Sequence, residues 1–286
     1  MKSLQSPAEL SLQNSVEAAE SAQAIIHETA IVHPTAELGA GVRIGPYTII
    51  GPDTVIGDGT VIEPHAIIER WTTIGADCRI CSGAILGGMP QDSKFRGERS
   101  FLSIGDRNII REYVTIHRAT GEDNLTRIGD DNMFMAYCHI GHNCALGSGI
   151  MMANTVGISG HVIVEDKAVF GGMVGVHQYV RIGKLAMLGG HSKVVQDLPP
   201  FMMADGRPTK VYDLNVVGLR RSGVPPKVRS GLRQAYKLLY RSNLNLSQAI
   251  ESIENEVEPS AERDYLLEFV RSVKFGFAGR QLENRK

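Results

Sequence analysis

Four of the nine histidines, His139, His142, His161 and His177, lie within a short stretch. Gly160 and Gln178 follow His142 at intervals of 18 and 36 residues. A single histidine is most often structural or merely exposed. If the chain returns on itself every 18 residues, however, these groups meet on one edge and offer two chemistries. In the first, a neutral imidazole removes the proton from a hydroxyl that attacks an acyl carbonyl, a contribution of roughly 10²–10⁴ in rate. A backbone N–H at a glycine one coil away, Gly160 beside His142, then receives the developing oxyanion. In the second, three histidines hold zinc between subunits. A covalent acyl-enzyme is disfavoured, because there is no Gly-x-Ser-x-Gly elbow and no cysteine stands beside an evident base. Gly147-Ser148-Gly149 keeps the repeat phase and lacks a Gly-Lys-Ser/Thr, so it reads as a chain corner and not a phosphate loop.

The element that positions these groups is a six-residue rhythm. Stepping by six from Ile26 to Val194 visits 29 positions, and all but Asp92, Glu98 and Glu122 are large and apolar. The following residue is often glycine, as at Gly45, Gly57, Gly141 and Gly171, which suggests a sharp corner with relaxed φ. Period six matches neither an α-helix nor a heptad. It fits a triangular prism of three short strands per coil, one aliphatic side chain from each face filling the axis. The β-helix is expected over 25–199. Residues 87–103 and 117–127 break the pattern with polar sequence and are expected as ejected loops, where function usually sits. Residues 200–286 are expected to form a helical domain. Pro225-Pro226 opens an amphipathic stretch, and Ser247 and Ser260 are the expected N-caps of two further helices.

The rest of the chain bounds the possibilities. A net charge of −1 gives no global reason to expect nucleic acid as a partner. Residues 1–24 form a polar extension with no apolar core of a signal peptide, and no stretch is long enough to span a bilayer. A soluble, cytoplasmic protein is expected. Cys78, Cys81, Cys138 and Cys144 read as buried thiols of a reducing compartment, since Cys78-Arg-Ile-Cys81 lacks the second pair a structural zinc site needs. Between Arg207 and Arg241 nine Lys/Arg face one acidic residue, Asp213. This patch suits an anionic substrate or acidic partner, with Arg221 a candidate for bidentate phosphate contact.

Several motifs in order resemble one family: GMPQDSKFRGE (88–98), IGDRNIIREYVTIHRAT (104–120), CHIGHNC (138–144), ISGHVIVED (158–166), GGMVGVHQYVRIG (171–183), QDLPPFM (196–202) and NVVGLRRSG (215–223). They resemble the UDP-N-acetylglucosamine O-acyltransferases that begin lipid A biosynthesis. The likeness runs from about residue 26 to the C-terminus and is strongest between 86 and 223. It implies a left-handed parallel β-helix, a hand that breaks the usual rule for parallel crossovers. It also implies a homotrimer with its site between neighbouring subunits. The implied reaction moves an (R)-3-hydroxyacyl chain from acyl carrier protein to the 3-hydroxyl of UDP-N-acetylglucosamine, with no metal or bound organic cofactor.

Position by position, the resemblance makes His142 the base and Gly160 the oxyanion donor. Gln91, Asp92 and Lys94 become sugar-side contacts, and His139 and His161 line the same pocket. His177, Gln178 and Arg221 lie near the diphosphate, Asn215 contacts the nucleotide or carrier arm, and Gly190 gauges acyl length, its missing side chain leaving room for a longer chain. Asn143 stands where family members often have Asp; an amide orients imidazole but adds no charge, which implies a weaker base. Val217 and Ser222 replace charged side chains on the nucleotide side. The alternatives are an N-acyltransferase for a 3-amino UDP-sugar, or the later N-acyltransferase of the pathway, whose extra N-terminal domain a 24-residue extension cannot supply. A zinc enzyme like the β-helical carbonic anhydrases would need two histidines five apart, which the sequence lacks. A non-catalytic carrier-binding trimer would need neither His142 nor Gly160.

Overall fold

An aliphatic side chain at every sixth position has to be buried, and the chain buries it by winding. In the computed structural model, which describes residues 23–273 and 276–283, the coil is a left-handed parallel β-helix with helices after it. The expected N-terminal extension lies, but for residues 23 and 24, outside the described residues. The described strands form three sheets of eleven, nine and eight. Within the coil a strand pairs in parallel with the third one after it, as when Ile26 meets Ile44 and Ile50 meets Ile68. The inward residues from Ile50 to Ile80 are at most 1% exposed. The four thiols are buried among them. Cys78, Cys138 and Cys144 donate to carbonyls of the next coil, and burial pushes the Cys144 thiol up to about 12.

The ejected loops keep the phase because they add whole repeats. Partners are 18 residues apart in the first coils, but 30 apart from Ile74 to Ile104 and 24 apart from Ile104 to Ile128. They return to 18 from Phe134 to Met152. The insertions therefore amount to twelve and six residues, and they contain the three polar exceptions Asp92, Glu98 and Glu122.

Apart from Gly87 (φ 78°), the glycines directly after the inward residues do not supply the expected relaxed φ. Left-handed backbone falls two residues later, often on a non-glycine such as Tyr47 (φ 58°), Asp53 (55°) or Asn143 (58°). What excludes a side chain at Gly57 is the coil next door. A Cβ there would lie 2.5 Å from the Gly75 carbonyl carbon and 2.6 Å from the Ala76 nitrogen. The same corner carries a ladder of side chains capping backbone: Ala76 N–H donates to Asp106, Asp106 N–H to Asp130, Asp130 N–H to Ser148 and Ser148 N–H to Asp166, all at 2.8–2.9 Å. Ser148 is thus a corner residue.

Past the coil a β-hairpin, Met202–Gly206 with Thr209–Leu214, extends the first sheet beside Met187–Leu188. The sequence reading placed only helices here. Four helices follow: α1 (Val216–Arg221), α2 (Pro226–Tyr240), α3 (Leu246–Glu256) and α4 (Ala261–Val273). Pro226 opens α2, and the Ser260 hydroxyl accepts from Arg263 N–H. Ser247 is not the cap of α3. Asn245 fills that position in a reciprocal capping box with Gln248, leaving Ser247 inside the first turn.

Gly57→Ala should cost about 1–3 kcal/mol, the usual penalty of overpacking against atoms that cannot move. Gly175→Ala, whose Cβ meets nothing within 4 Å, should cost far less. Urea midpoints of the two variants check this.

Candidate active site

Three side chains of consecutive coils share one corner. Asn143, His161 and Tyr179 occupy its left-handed position with φ of 58°, 61° and 65°. The preceding positions hold His142, Gly160 and Gln178, and His161 N–H donates to the His142 carbonyl at 3.0 Å. The 18-residue column expected from the sequence is therefore present. The His142 ring meets His161 edge-on at 5.1 Å, and His161 stacks on Tyr179 at 4.7 Å.

The protonation pattern of His142 follows from Asn143. The Asn143 Nδ2 donates to the Thr120 carbonyl at 3.0 Å, while its Oδ1 accepts from Thr120 N–H at 2.9 Å. A flipped amide would oppose both contacts, so Oδ1 is the atom that faces His142 Nδ1 at 2.8 Å. An amide oxygen only accepts. Neutral His142 therefore carries its proton on Nδ1 and leaves Nε2 as a lone pair. Nε2 lies over Gly160, where a Cβ would come within 2.6 Å of it. Among the described residues no acceptor meets the Gly160 N–H.

The neighbouring imidazoles are kept neutral. Burial, reinforced by the charge His142 would carry, lowers the pKa of His139 and His161. His117, 7% exposed and edge-on to His139 at 5.0 Å, is lowered by burial and then by His139 and His142 to about 4. His139 is held by Thr115 through Nδ1 at 2.7 Å.

Two cavities meet at His142. One, of about 580 Å³, runs over the sheet face past His139, Gly157, Gly175, His177 and Lys193. The other, of about 1080 Å³, opens over the corner between Gln91, Asp92 and Lys94 of the first ejected loop and Phe277 near the C-terminus. Gln91, His142 and Gln178 border both. The loop is rooted by buried Arg118, which donates to the Gly87 carbonyl at 3.0 Å and lies between Trp71 and Phe95.

Asn215, Arg221 and Gly190 line neither cavity of this chain. The Asn215 amide is the N-cap of α1, accepting from Gly218 N–H at 2.9 Å and donating to the Leu185 carbonyl at 2.8 Å. Arg221 is exposed in the last turn of α1. Gly190 stands on the corner before the strand Lys193–Val194. Sequence reasoning missed His117, Arg118 and Phe277. The six-residue insertion makes Thr115 the partner of His139, 24 residues on, so a fixed 18-residue step passes over His117. Counting the insertion as a whole repeat would have found it.

The described residues contain no helix long and apolar enough to cross a membrane. Residues 197–278 match the second domain of UDP-N-acetylglucosamine O-acyltransferase, and residues 53–88 the bacterial transferase hexapeptide model of six repeats. A Gloeothece citriformis protein named acyl-[acyl-carrier-protein]–UDP-N-acetylglucosamine O-acyltransferase is 49% identical over 66% of this chain and 68% of its own length. A Synechocystis protein of the same name is 47% identical over 71% and 72%. The UDP-N-acetylglucosamine acyltransferase structure from Bacteroides fragilis has a TM-score of 0.84 at 37% identity, covering 86% of this chain and 97% of that one. That of the UDP-N-acetylglucosamine O-acyltransferase from Moraxella catarrhalis has a TM-score of 0.83 at 40% identity, covering 86% and 96%.

His117 makes a pH prediction. Its pKa is 6.5 in the unfolded chain and about 4 when folded, so the folded state refuses a proton that the unfolded state accepts. The stabilisation is complete above pH 6.5 and is lost as pH falls towards 4. In His117→Gln the acid-side loss should be shallower by roughly 3 kcal/mol, read from urea unfolding between pH 7 and pH 4.

Proposed function

The chain belongs to the UDP-N-acetylglucosamine O-acyltransferase family, and we propose that it transfers an (R)-3-hydroxyacyl chain from acyl carrier protein to the 3-hydroxyl of UDP-N-acetylglucosamine, the opening step of lipid A biosynthesis. The observation that carries this reading is the Nδ1 tautomer imposed on His142 by Asn143, with Nε2 over Gly160. Nε2 removes the hydroxyl proton as the oxygen attacks the thioester carbonyl. The Gly160 N–H receives the negative charge on the carbonyl oxygen. The intermediate collapses to the ester, and the departing thiolate of the carrier arm takes the proton back from His142. No step calls for a metal or a bound cofactor.

The two cavities suit the two substrates. The sugar nucleotide lies on the corner side, against Gln91, Asp92, Lys94 and His161, with His177 and Gln178 towards the diphosphate. The acyl chain crosses the bare face at Gly157 and Gly175, where a Cβ would meet nothing within 4 Å, and runs towards Gly190. The acidic carrier protein docks on the basic patch. There Arg207, Lys227 and Arg241 are engaged by His191, Glu258 and Tyr212, whereas Arg220 and Arg221 meet no acidic partner among the described residues. Arg221 reaches the nucleotide across the subunit boundary of a homotrimer, and Asn215, whose amide is already bonded to Gly218 and Leu185, holds the start of the helix that carries it. The corner ladder of Tyr47, Tyr113, Tyr137 and Met173, each 56–60% exposed, supplies apolar surface for such packing. The same reading divides the chain into an extension (1–24), the coil with its two loops (25–199) and a C-terminal domain (200–286), in the cytoplasm.

Purified protein given UDP-N-acetylglucosamine and hydroxyacyl carrier proteins of graded length should form the 3-O-ester. His142→Ala should lose about 10²–10⁴ in kcat. Asn143→Ala, which frees the tautomer, should lower kcat with little change in either KM. Full activity of His142→Ala would sink the base assignment, and no transfer by the parent protein to a hydroxyl or an amine acceptor would sink the reaction.

A further inference from the structure

The chain does not end at its last helix. Residues 276–283 turn back along the final coils and dock there through backbone: Asp197 N–H donates to the Gly279 carbonyl, and Gln281 N–H to the Asp197 carboxylate, both at 2.8 Å. A tight turn closes the hook, Phe277 N–H donating to the Glu283 carbonyl at 2.9 Å and Arg280 N–H to the Phe277 carbonyl at 2.9 Å.

The hook has two features that a simple end-plug would not need. Its outer residues Phe277, Leu282 and Glu283 line the larger cavity together with Asp92 and Lys94 of the first ejected loop and with His142 and His161. The Phe277 side chain is 41% exposed, so it is not buried as part of the plug. Arg280, 9% exposed, ties the hook to the coil. Its Nη1 donates to the Val195 carbonyl at 2.8 Å, on the wall of the smaller cavity, while its remaining nitrogens pair with the Glu283 carboxylate. The pairing cancels the carboxylate charge, so the wall does not repel an anionic ligand. Arg280, Leu282 and Glu283 also lie past residue 278, where the family match ends.

We propose that residues 276–283 form the outer wall of the acceptor pocket, with Phe277 as its contact surface and Arg280 as the positioning residue that fixes the wall relative to the coil. The proposal rests on the assignment of the larger cavity to the sugar nucleotide. It predicts a selective effect. Loss of the wall weakens the hold on the acceptor and leaves the donor side, on the sheet face, untouched.

Three variants test it: a chain ending at Val273, Phe277→Ala and Arg280→Gln. Steady-state kinetics with each substrate varied in turn, and calorimetric binding of UDP-N-acetylglucosamine, should show the acceptor KM and Kd raised about fivefold or more in the shortened chain. Phe277→Ala should follow in the same direction, with donor KM and saturating kcat within about twofold of the parent, and Arg280→Gln should raise the acceptor constants as well. A merely structural hook would move both KM values together, and that result overturns the proposal. So do unchanged acceptor constants. If the shortened chain does not fold, Phe277→Ala decides, because removing a half-exposed ring leaves the core intact. If the parent transfers and every variant binds UDP-N-acetylglucosamine as well as the parent does, the wall alone is overturned. A parent that neither transfers nor binds it overturns both the wall and the assigned reaction.

Discussion

Each coil hangs from the next by backbone hydrogen bonds, such as Gly51 N–H to the Ile68 carbonyl at 2.7 Å and Gly141 N–H to the Ile158 carbonyl at 2.8 Å. That contact fixes the distance between successive coils at about the strand spacing of 4.8 Å, and the rest of the molecule obeys it. Where the backbones come closest, only glycine fits, as at Gly57 and Gly171. Where side chains share a corner, they stack at ring-contact distance. His142, His161 and Tyr179 are brought together in this way, and so are the stacked rings Tyr113 and Tyr137 at 5.3 Å. A site built on such a lattice needs few special contacts to hold its geometry. Its precision is that of the coil.

The periodicity was legible because burial imposes it. An inward residue cannot be polar without a partner, so the run of aliphatics from Ile26 onward reports the prism directly. The placing of His142 over Gly160 followed from the same count. What escaped the count has physical reasons. Gly57 and its counterparts were correctly noticed but credited to φ, because a sequence does not display the backbone of the neighbouring coil. His117 was hidden by a six-residue insertion that preserves phase but changes the partner. The hairpin Met202–Gly206/Thr209–Leu214 gains its stability by adding to an existing sheet edge, a tertiary cause that local propensity does not register. The hook at 276–283 is held by Asp197 and Val195, some eighty residues earlier, and nothing local announces it.

Neutral imidazoles are the electrostatic counterpart of this packing. Four rings in two edge-on pairs, His117 with His139 and His142 with His161, cannot all be charged, and burial lowers His117, His139 and His161 in turn. Each neutral neighbour leaves room for one positive charge, the one His142 would acquire as the base of the proposed reaction. Arg118 strengthens the same bias. It adds a cation beside His117, and it anchors the first loop at Gly87. The cluster thus keeps three of its rings neutral.

That arrangement also accounts for an amide beside the proposed base. A carboxylate at 143 would add charge stabilisation to imidazolium, but it would set a second oxygen against the Thr120 carbonyl, where Asn143 Nδ2 now donates at 3.0 Å. Carboxylate and carbonyl would repel in a partly buried site, and the second ejected loop would lose one of the two bonds that join it to the corner. The amide instead satisfies Thr120 at both ends and still offers His142 an acceptor. Charge beside His142 is exchanged here for a loop fixed to it. A weaker electrostatic partner costs little if imidazolium exists only briefly, whereas a wrong tautomer would leave no lone pair over Gly160. Orientation is the stricter requirement, and Asn143 meets it.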